Sequence, residues 1–225
     1  MFQRWSDLLF LHWSWPAEEL QAHLPSGLTI DTFDGKAYLG VVPFFMRGIR
    51  PRFLPAVPWL STFQELNLRT YVHTDDGTPG VWFFSLDAAN PIAVAIAKRF
   101  FHLPYRHARM RSERNEGITY HSKLPGHPAQ RFRYQVPETT REAKPGTLEF
   151  FLLERYYLFA HDPKRDRLFR GQVAHPPYQF AETTAAEIDE GPITAAGFPA
   201  PSTAPVHQAA SPGVHVDILP LERLR

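Results

Sequence analysis

The chain contains no cysteine. Disulfides, thiolate nucleophiles, iron–sulfur clusters and cysteine-based zinc sites are thereby excluded. No apolar run approaches the roughly 20 residues needed to cross a bilayer, and Arg4 and Asp7 interrupt the apolar residues near the start, so no leader of the usual pattern is read there. Charge of one sign is not in excess either. With 24 basic and 23 acidic side chains the net charge is +1, which removes the polyanion-attracting field typical of nucleic-acid binders. The eleven histidines are scattered, with no His-x-x-x-His or His-Glu-x-x-His spacing, and Gly-x-Ser-x-Gly is absent. These absences set the expectations: no metal, no cofactor, no nucleic-acid or membrane partner, and a cytoplasmic setting.

Apolar side chains are plentiful. Hydrophobic residues make up 44% of the 225 residues, with 18 Phe and 5 Trp, enough to build a substantial core. One domain over residues 1–225 is expected, because β-rich architectures reach this size as one unit.

Residues 5–15 alternate as a strand, and 16–24 read as a short helix with Pro16 at its first position. Asp34-Gly35 between residues 28–33 and 36–46 predicts a hairpin. Pro51, Pro55 and Pro58 mark 48–60 as a long loop, whose Phe53 and Trp59 suit a lid or a subunit contact. Strands follow at 61–73 and 81–86, and a helix at 90–101 capped by Asn90. Residues 105–114, 118–123 and 130–136 form further strands; the arginines at 109 and 111 read as a solvated strand face. A helix at 147–153, strands at 155–160, 168–173 and 178–186, a loose Ala/Pro-rich connector at 189–213 and a final strand at 214–219 complete the chain. About ten strands and two or three short helices without βαβ alternation predict a β-rich α+β fold, an antiparallel or mixed barrel-like sheet.

Several collinear patterns carry a family resemblance: Phe10-Leu-His-Trp13, Asp31-Thr-Phe-Asp-Gly35, Val42-Pro-Phe44, Glu65-Leu-Asn-Leu-Arg-Thr-Tyr71, Phe83-Phe-Ser-Leu-Asp87, Leu103-Pro-Tyr105 and Leu153-Glu-Arg-Tyr156. Over residues 5 to 180 the chain resembles the YqjF-like family of uncharacterised bacterial proteins. That family is similar in fold to acetoacetate decarboxylase, which implies a barrel or cone around a central cavity. The decarboxylase reaction itself needs a lysine of depressed pKa to form an imine. At the matching place, His102-Leu-Pro-Tyr105, tyrosine stands where that lysine would be. Among the five lysines only Lys98, on the predicted helix, remains a candidate, and a solvated helix position accounts for it.

Residues two apart on a strand share a face, so Glu65, Asn67, Arg69 and Tyr71 form one polar row opposite Leu66, Leu68, Thr70 and Val72. Either this row is an exposed ion-paired face, or it points inward with Glu65 and Arg69 compensating one another. On the inward reading the residues that bind a small molecule are Glu65, Asn67, Arg69, Tyr71, Phe44, Tyr105, Tyr156 and His175, with Trp82 or Phe84 adding apolar wall. Arg69 would clamp a carboxylate or enolate, Glu65 would act as acid or base, and Tyr105 would donate a hydroxyl. Asp87 is expected to accept hydrogen bonds at a turn or to sit at the cavity rim, and His12 to be a satisfied core histidine. The partner expected is a small-molecule ligand, with a homo-oligomer left open; an acid–base enzyme acting on a small keto acid without imine chemistry is the alternative, and a scaffold with a filled interior is a third reading.

Overall fold

The structure is a computed structural model and describes residues 1–51, 53 and 55–225. In chain order the elements are β1 (Phe2–Trp15), α1 (Ala17–Gln21), β2 (Thr29–Ile30), β3 (Ala37–Arg50), α2 (Pro58–Ser61), β4 (Phe63–His73), β5 (Pro79–Ala88), α3 (Pro91–Phe101), β6 (Tyr105–His107), β7 (Arg109–Asn115), β8 (Gly117–Lys123), β9 (Ala129–Tyr134), α4 (Leu148–Leu153), β10 (Tyr157–Asp162), β11 (Arg167–Ala174), β12 (Ala181–Glu182), α5 (Gly191–Thr194), β13 (His207–Ile218) and β14 (Glu222–Arg223).

One large sheet carries the architecture. Its pairings run β13-β1-β3-β4-β5-β10-β11 and return from β11 to β13, so the backbone ladder closes into a ring. Every step is antiparallel except β5–β10, where Leu158 pairs with Val81 and Phe159 with Trp82 in parallel. The return from β11 to β13 uses Val173↔Ile218 and Ala174↔Asp217. β1 binds β13 along nearly its whole length, from Phe2↔Asp217 to His12↔His207. Gly213 permits this close approach, since a Cβ there would collide with the Trp5 carbonyl oxygen.

The strong alternation of β1, β3 and β4 gives the ring two apolar faces. Leu9, Leu11, Trp13, Leu66, Leu68 and Val72 face outward. They are covered by the separate sheet β7-β8-β9, which contributes Ile118, Tyr120, Phe132 and Tyr134. Two polar ties fix that sheet to β1: the Tyr134 hydroxyl donates to the Asp7 carbonyl at 2.6 Å, and Arg114 donates to the Asp7 carboxylate at 2.6 Å. Leu8, Phe10, Val42, Phe44, Tyr71, Leu152 and Leu158 face the inside of the ring.

Several sequence expectations need correction. Asp34-Gly35 does turn the chain, with Phe33 bridged to Lys36, but β2 pairs with β4 through Thr29↔His73 rather than with β3. The stretch 189–213 is not a loose connector: α5 lies in it, and β13 already begins at His207, so the final ring strand runs 207–218 instead of 214–219. Its Ala209, Ala210 and Ser211 are small because they are wholly buried between β1 and β12, and smallness was read as looseness. The expected loop 48–60 is shortened at both ends by β3 and α2, while its residues 52 and 54 lie outside the described residues. Arg109 and Arg111 are exposed, as a solvated strand face requires. Among the described residues no helix is long and apolar enough to cross a membrane.

Candidate functional site

Inside the ring lies a cavity of about 270 Å³. Its wall is mainly apolar, with Val42 and Phe44 from β3, Leu86 from β5, Leu103 before β6 and Leu158 from β10. Exposed Pro51, Pro55, Val57 and Ile96 mark where it reaches the surface, between the end of β3, α2 and α3. The polar row of β4 lines this cavity: Glu65, Asn67 and Arg69 are 3%, 5% and 8% exposed.

Strand register explains which neighbours join them. β5 carries one extra residue opposite the Leu68–Arg69 step, so Leu68 faces Ser85 while Arg69 faces Phe83. This bulge shifts the alternation of β5. Val81 and Phe83 point into the cavity, and beyond the shift Leu86 does so, whereas Trp82 and Phe84 pack on the outer face. The sequence reading that placed Trp82 or Phe84 in the cavity wall is thus one residue out of phase. β6 adds in parallel beside β5, with Leu86↔Tyr105, and so carries Tyr105 to the cavity, where its hydroxyl donates to Glu65 Oε2 at 3.0 Å.

Glu65 and Arg69 do not compensate one another. Four residues of strand separate their backbones by about 13 Å, and among the described residues no ion pair joins them. Burial pushes the Glu65 carboxyl up to about 8; the Tyr105 hydroxyl opposes this and the Asp87 carboxylate adds to it. Glu65 is therefore a protonated acid at neutral pH. Burial and the adjoining Glu65 raise the Tyr105 phenol well above its ordinary value.

Arg69 sits at the inner end. Its Nη2 donates to the Leu152 carbonyl at the end of α4, 3.1 Å away, and to the Tyr71 hydroxyl at 3.4 Å. Its guanidinium lies 5.6 Å from the centre of the Phe10 ring. No carboxylate reaches it among the described residues, and its Nε is buried without a partner.

Behind Arg69 runs a chain of hydrogen bonds that the sequence did not reveal. The single proton of the Tyr71 hydroxyl goes to the Leu152 carbonyl at 2.9 Å, since a carbonyl only accepts. His12 Nε2, 2.7 Å from that hydroxyl, must then carry a proton and donate it. Neutral His12 accepts at Nδ1, so His207 donates from its own Nδ1 across 2.9 Å. Its Nε2 is left bare and buried with no partner. Burial drives His12 well below its ordinary pKa and His207 down to about 4, so both rings are neutral, while it raises Tyr71. Gly40 makes room for this arrangement, because a Cβ there would stand 3.0 Å from the His12 ring and 3.4 Å from Arg69 Cγ. His12 is thus a satisfied core histidine whose role is to hold Tyr71.

The remaining named residues fall elsewhere. Phe44 lines the cavity. Tyr71 lies beneath Arg69, outside the lining, and the hydroxyl of Tyr156 donates to Glu154 at 2.5 Å. His175 lies between the tilted rings of Tyr156 and Tyr178, with ring centres 4.7 and 4.8 Å away, and does not line the cavity. Asp87 faces the other side of β5, where Arg106 grips it through two bonds of 2.6 and 3.1 Å. All five lysines are exposed and none lines the cavity, Lys98 included. The residues that sequence reasoning missed are Gln3 and Trp5 on β1, Arg155 after α4, and the His12–His207 pair. Trp5 is the first residue of the strand expected at 5–15 and Gln3 lies before it; the extension of β1 to residue 2 brings both into the cavity wall.

This ring of strands around a cavity is an acetoacetate decarboxylase-like fold. It is matched by acetoacetate decarboxylase from Legionella pneumophila, with a TM-score of 0.69 at 11% identity over 100% of this chain and 88% of that one. The enduracididine biosynthesis enzyme MppR complexed with pyruvate matches with a TM-score of 0.67 at 12% identity, over 100% and 90% of the two chains. Within that fold class the chain belongs to the DUF2071 family, an uncharacterized conserved protein family whose model matches residues 2–215. The uncharacterized protein YqjF of Bacillus subtilis (strain 168) is 39% identical over 210 residues, covering 92% of this chain and 85% of that protein.

Proposed function

We propose that the cavity binds a small organic anion, a carboxylate or a related carbonyl compound, and that Arg69 is its clamp. The observation that carries this reading is the uncompensated guanidinium of Arg69, 8% exposed at the inner end of an apolar cavity. A buried cation without a counter-charge costs several kcal/mol. An incoming carboxylate offsets that cost, which makes the site selective for anions rather than merely permissive. Arg155 reinforces the choice: it also lines the cavity, but its charge is already taken by Asp31 at 2.7 Å. The pyruvate complex of MppR supports the ligand class by analogy of fold.

The test is thermal unfolding with a carboxylate series. A ligand present at 100 times its Kd adds about 2.7 kcal/mol, which for a chain of this length raises the melting temperature by about 5–10 °C. The rise should vanish in Arg69→Met and with the matching neutral alcohol. A series that shifts wild type and Arg69→Met alike would remove Arg69 from the site.

A second reading has one specific observation in its favour. The protonated Glu65, hydrogen-bonded to Tyr105 in the same cavity, is an acid poised near physiological pH. It suits acid–base chemistry on a small keto acid, without an imine, since every lysine lies outside the cavity. Keto-acid turnover that is lost in Glu65→Gln, with no borohydride-trapped lysine adduct by mass spectrometry, is the expected result; a trapped Lys98 would overturn it.

A further inference from the structure

We infer that the cavity takes a two-headed ligand: an elongated organic acid whose carboxylate rests on Arg69 and whose far end carries a hydroxyl or amide that hydrogen-bonds to Gln3 and Trp5. This rests on the anion reading above and narrows its ligand class.

Protein interiors leave few polar atoms without a partner. Here four of them, Gln3 Oε1, Trp5 Nε1, Asn67 Oδ1 and Arg69 Nε, belong to residues that line this one cavity. Gln3, Asn67 and Arg69 are each more than nine-tenths buried. The four separate into two stations. Asn67 and Arg69 are two apart on β4. Gln3 and Trp5 are two apart on β1, which only β3 separates from β4.

The ladder fixes their relative height. Trp5 pairs with Met46, and Met46 pairs with Phe63; Arg69 pairs with Gly40. The Trp5 backbone therefore stands at the level of Phe63, six residues above Arg69, while its indole packs edge-on against Phe44, which pairs with Glu65. Counted from Arg69, four to six residues of strand put about 13–20 Å of backbone between the stations, and two residues fewer from Asn67. Between the stations the wall carries Phe44 and, at its height, the Glu65 carboxyl already bonded to Tyr105, while Val42 and Leu86 flank Asn67, so an alkyl chain meets mainly apolar contact there.

Each station asks for a different group. At the inner one, Arg69 Nε donates to an anion, and the NH₂ of Asn67, two residues away on the same face, is a second donor for the same carboxylate. At the outer one, Trp5 Nε1 can only donate while Gln3 Oε1 accepts, and a hydroxyl or an amide answers both at once. A second carboxylate fits the outer station less well than a hydroxyl, because it can only accept and so leaves Gln3 Oε1 without a donor.

Calorimetric titration at pH 7 with decanoate, 10-hydroxydecanoate, 1,10-decanediol and decanedioate tests this. Decanoate should bind, and 10-hydroxydecanoate about fivefold more tightly, the effect of one net hydrogen bond. The ratio of these two affinities should fall in Gln3→Leu and in Trp5→Phe and reach about 1 when both are changed together. Decanedioate should bind less well than the hydroxy acid. A hydroxyl that gains nothing, a gain that persists in both variants, or a preference for decanedioate would overturn the two-headed ligand while leaving the anion site standing. Failure of the anion reading has its own signature: 1,10-decanediol binding wild type as well as 10-hydroxydecanoate does, or decanoate binding Arg69→Met undiminished.

Discussion

The carboxyl of Glu65 offers the sharpest test of the inward-facing polar row. In the unfolded chain it titrates near 4.5; inside the cavity it holds its proton to about 8, chiefly through burial. Between those values the folded chain binds a proton that the unfolded chain has released. Stability is thus fully retained below 4.5 and falls as pH rises through the window. At about 1.36 kcal/mol per pH unit the whole interval amounts to about 5 kcal/mol, an upper figure because water entering the cavity relieves part of it. Replacing Glu65 by Gln keeps size and acceptor capacity and removes the titration. Urea midpoints of both proteins measured from pH 5 to 9 should diverge, with Glu65→Gln gaining on wild type at the alkaline end. Curves that remain parallel to within about 0.5 kcal/mol would show that the carboxyl titrates as in water, and the row would not face an enclosed interior.

On the acid side the sign reverses: His12 and His207 are held neutral, His207 down to about 4, so stability should fall as pH drops from 6.5 toward 4, and His207→Gln should flatten that slope in urea titrations. Arg106→Ala strands the Asp87 carboxylate, 1% exposed, and should cost about 3 kcal/mol by chemical denaturation, of which adding Asp87→Asn should restore a part; no restoration would mean that the pair is not the source. Gly40→Ala presses a methyl onto the His12 ring and Arg69, and should cost about 1–3 kcal/mol while also shrinking the carboxylate-induced rise in melting temperature. An unchanged rise would show that Arg69 is not held by this packing.

Local alternation made β4 readable in advance. A strand with charge and amide at 65, 67 and 69 and leucine at 66 and 68 has one polar and one apolar face whatever surrounds it. What alternation cannot say is which face meets the interior, because both faces of this ring are covered and the outer one receives a second sheet. The proposed Glu65–Arg69 pair failed for a related reason: sharing a face is not sharing a contact when four residues intervene. Trp82 and Phe84 were misplaced by a one-residue bulge that only pairing with β4 exposes. The His12–His207 contact joins residues 195 apart in sequence, and no window of sequence contains it.

The ring's closure also dictates an order of events in time. Gln3, Trp5 and Leu8 on the first strand form cavity wall together with Ile218 on β13, and β1 has no second neighbour until residues 207–218 exist. During synthesis the opening strand must wait, half-paired, until that distant segment has left the ribosome. Joining such remote segments is a slow entropic search, so a molecule that binds as proposed should be unable to assist any earlier stage of folding and able to capture only the closed ring.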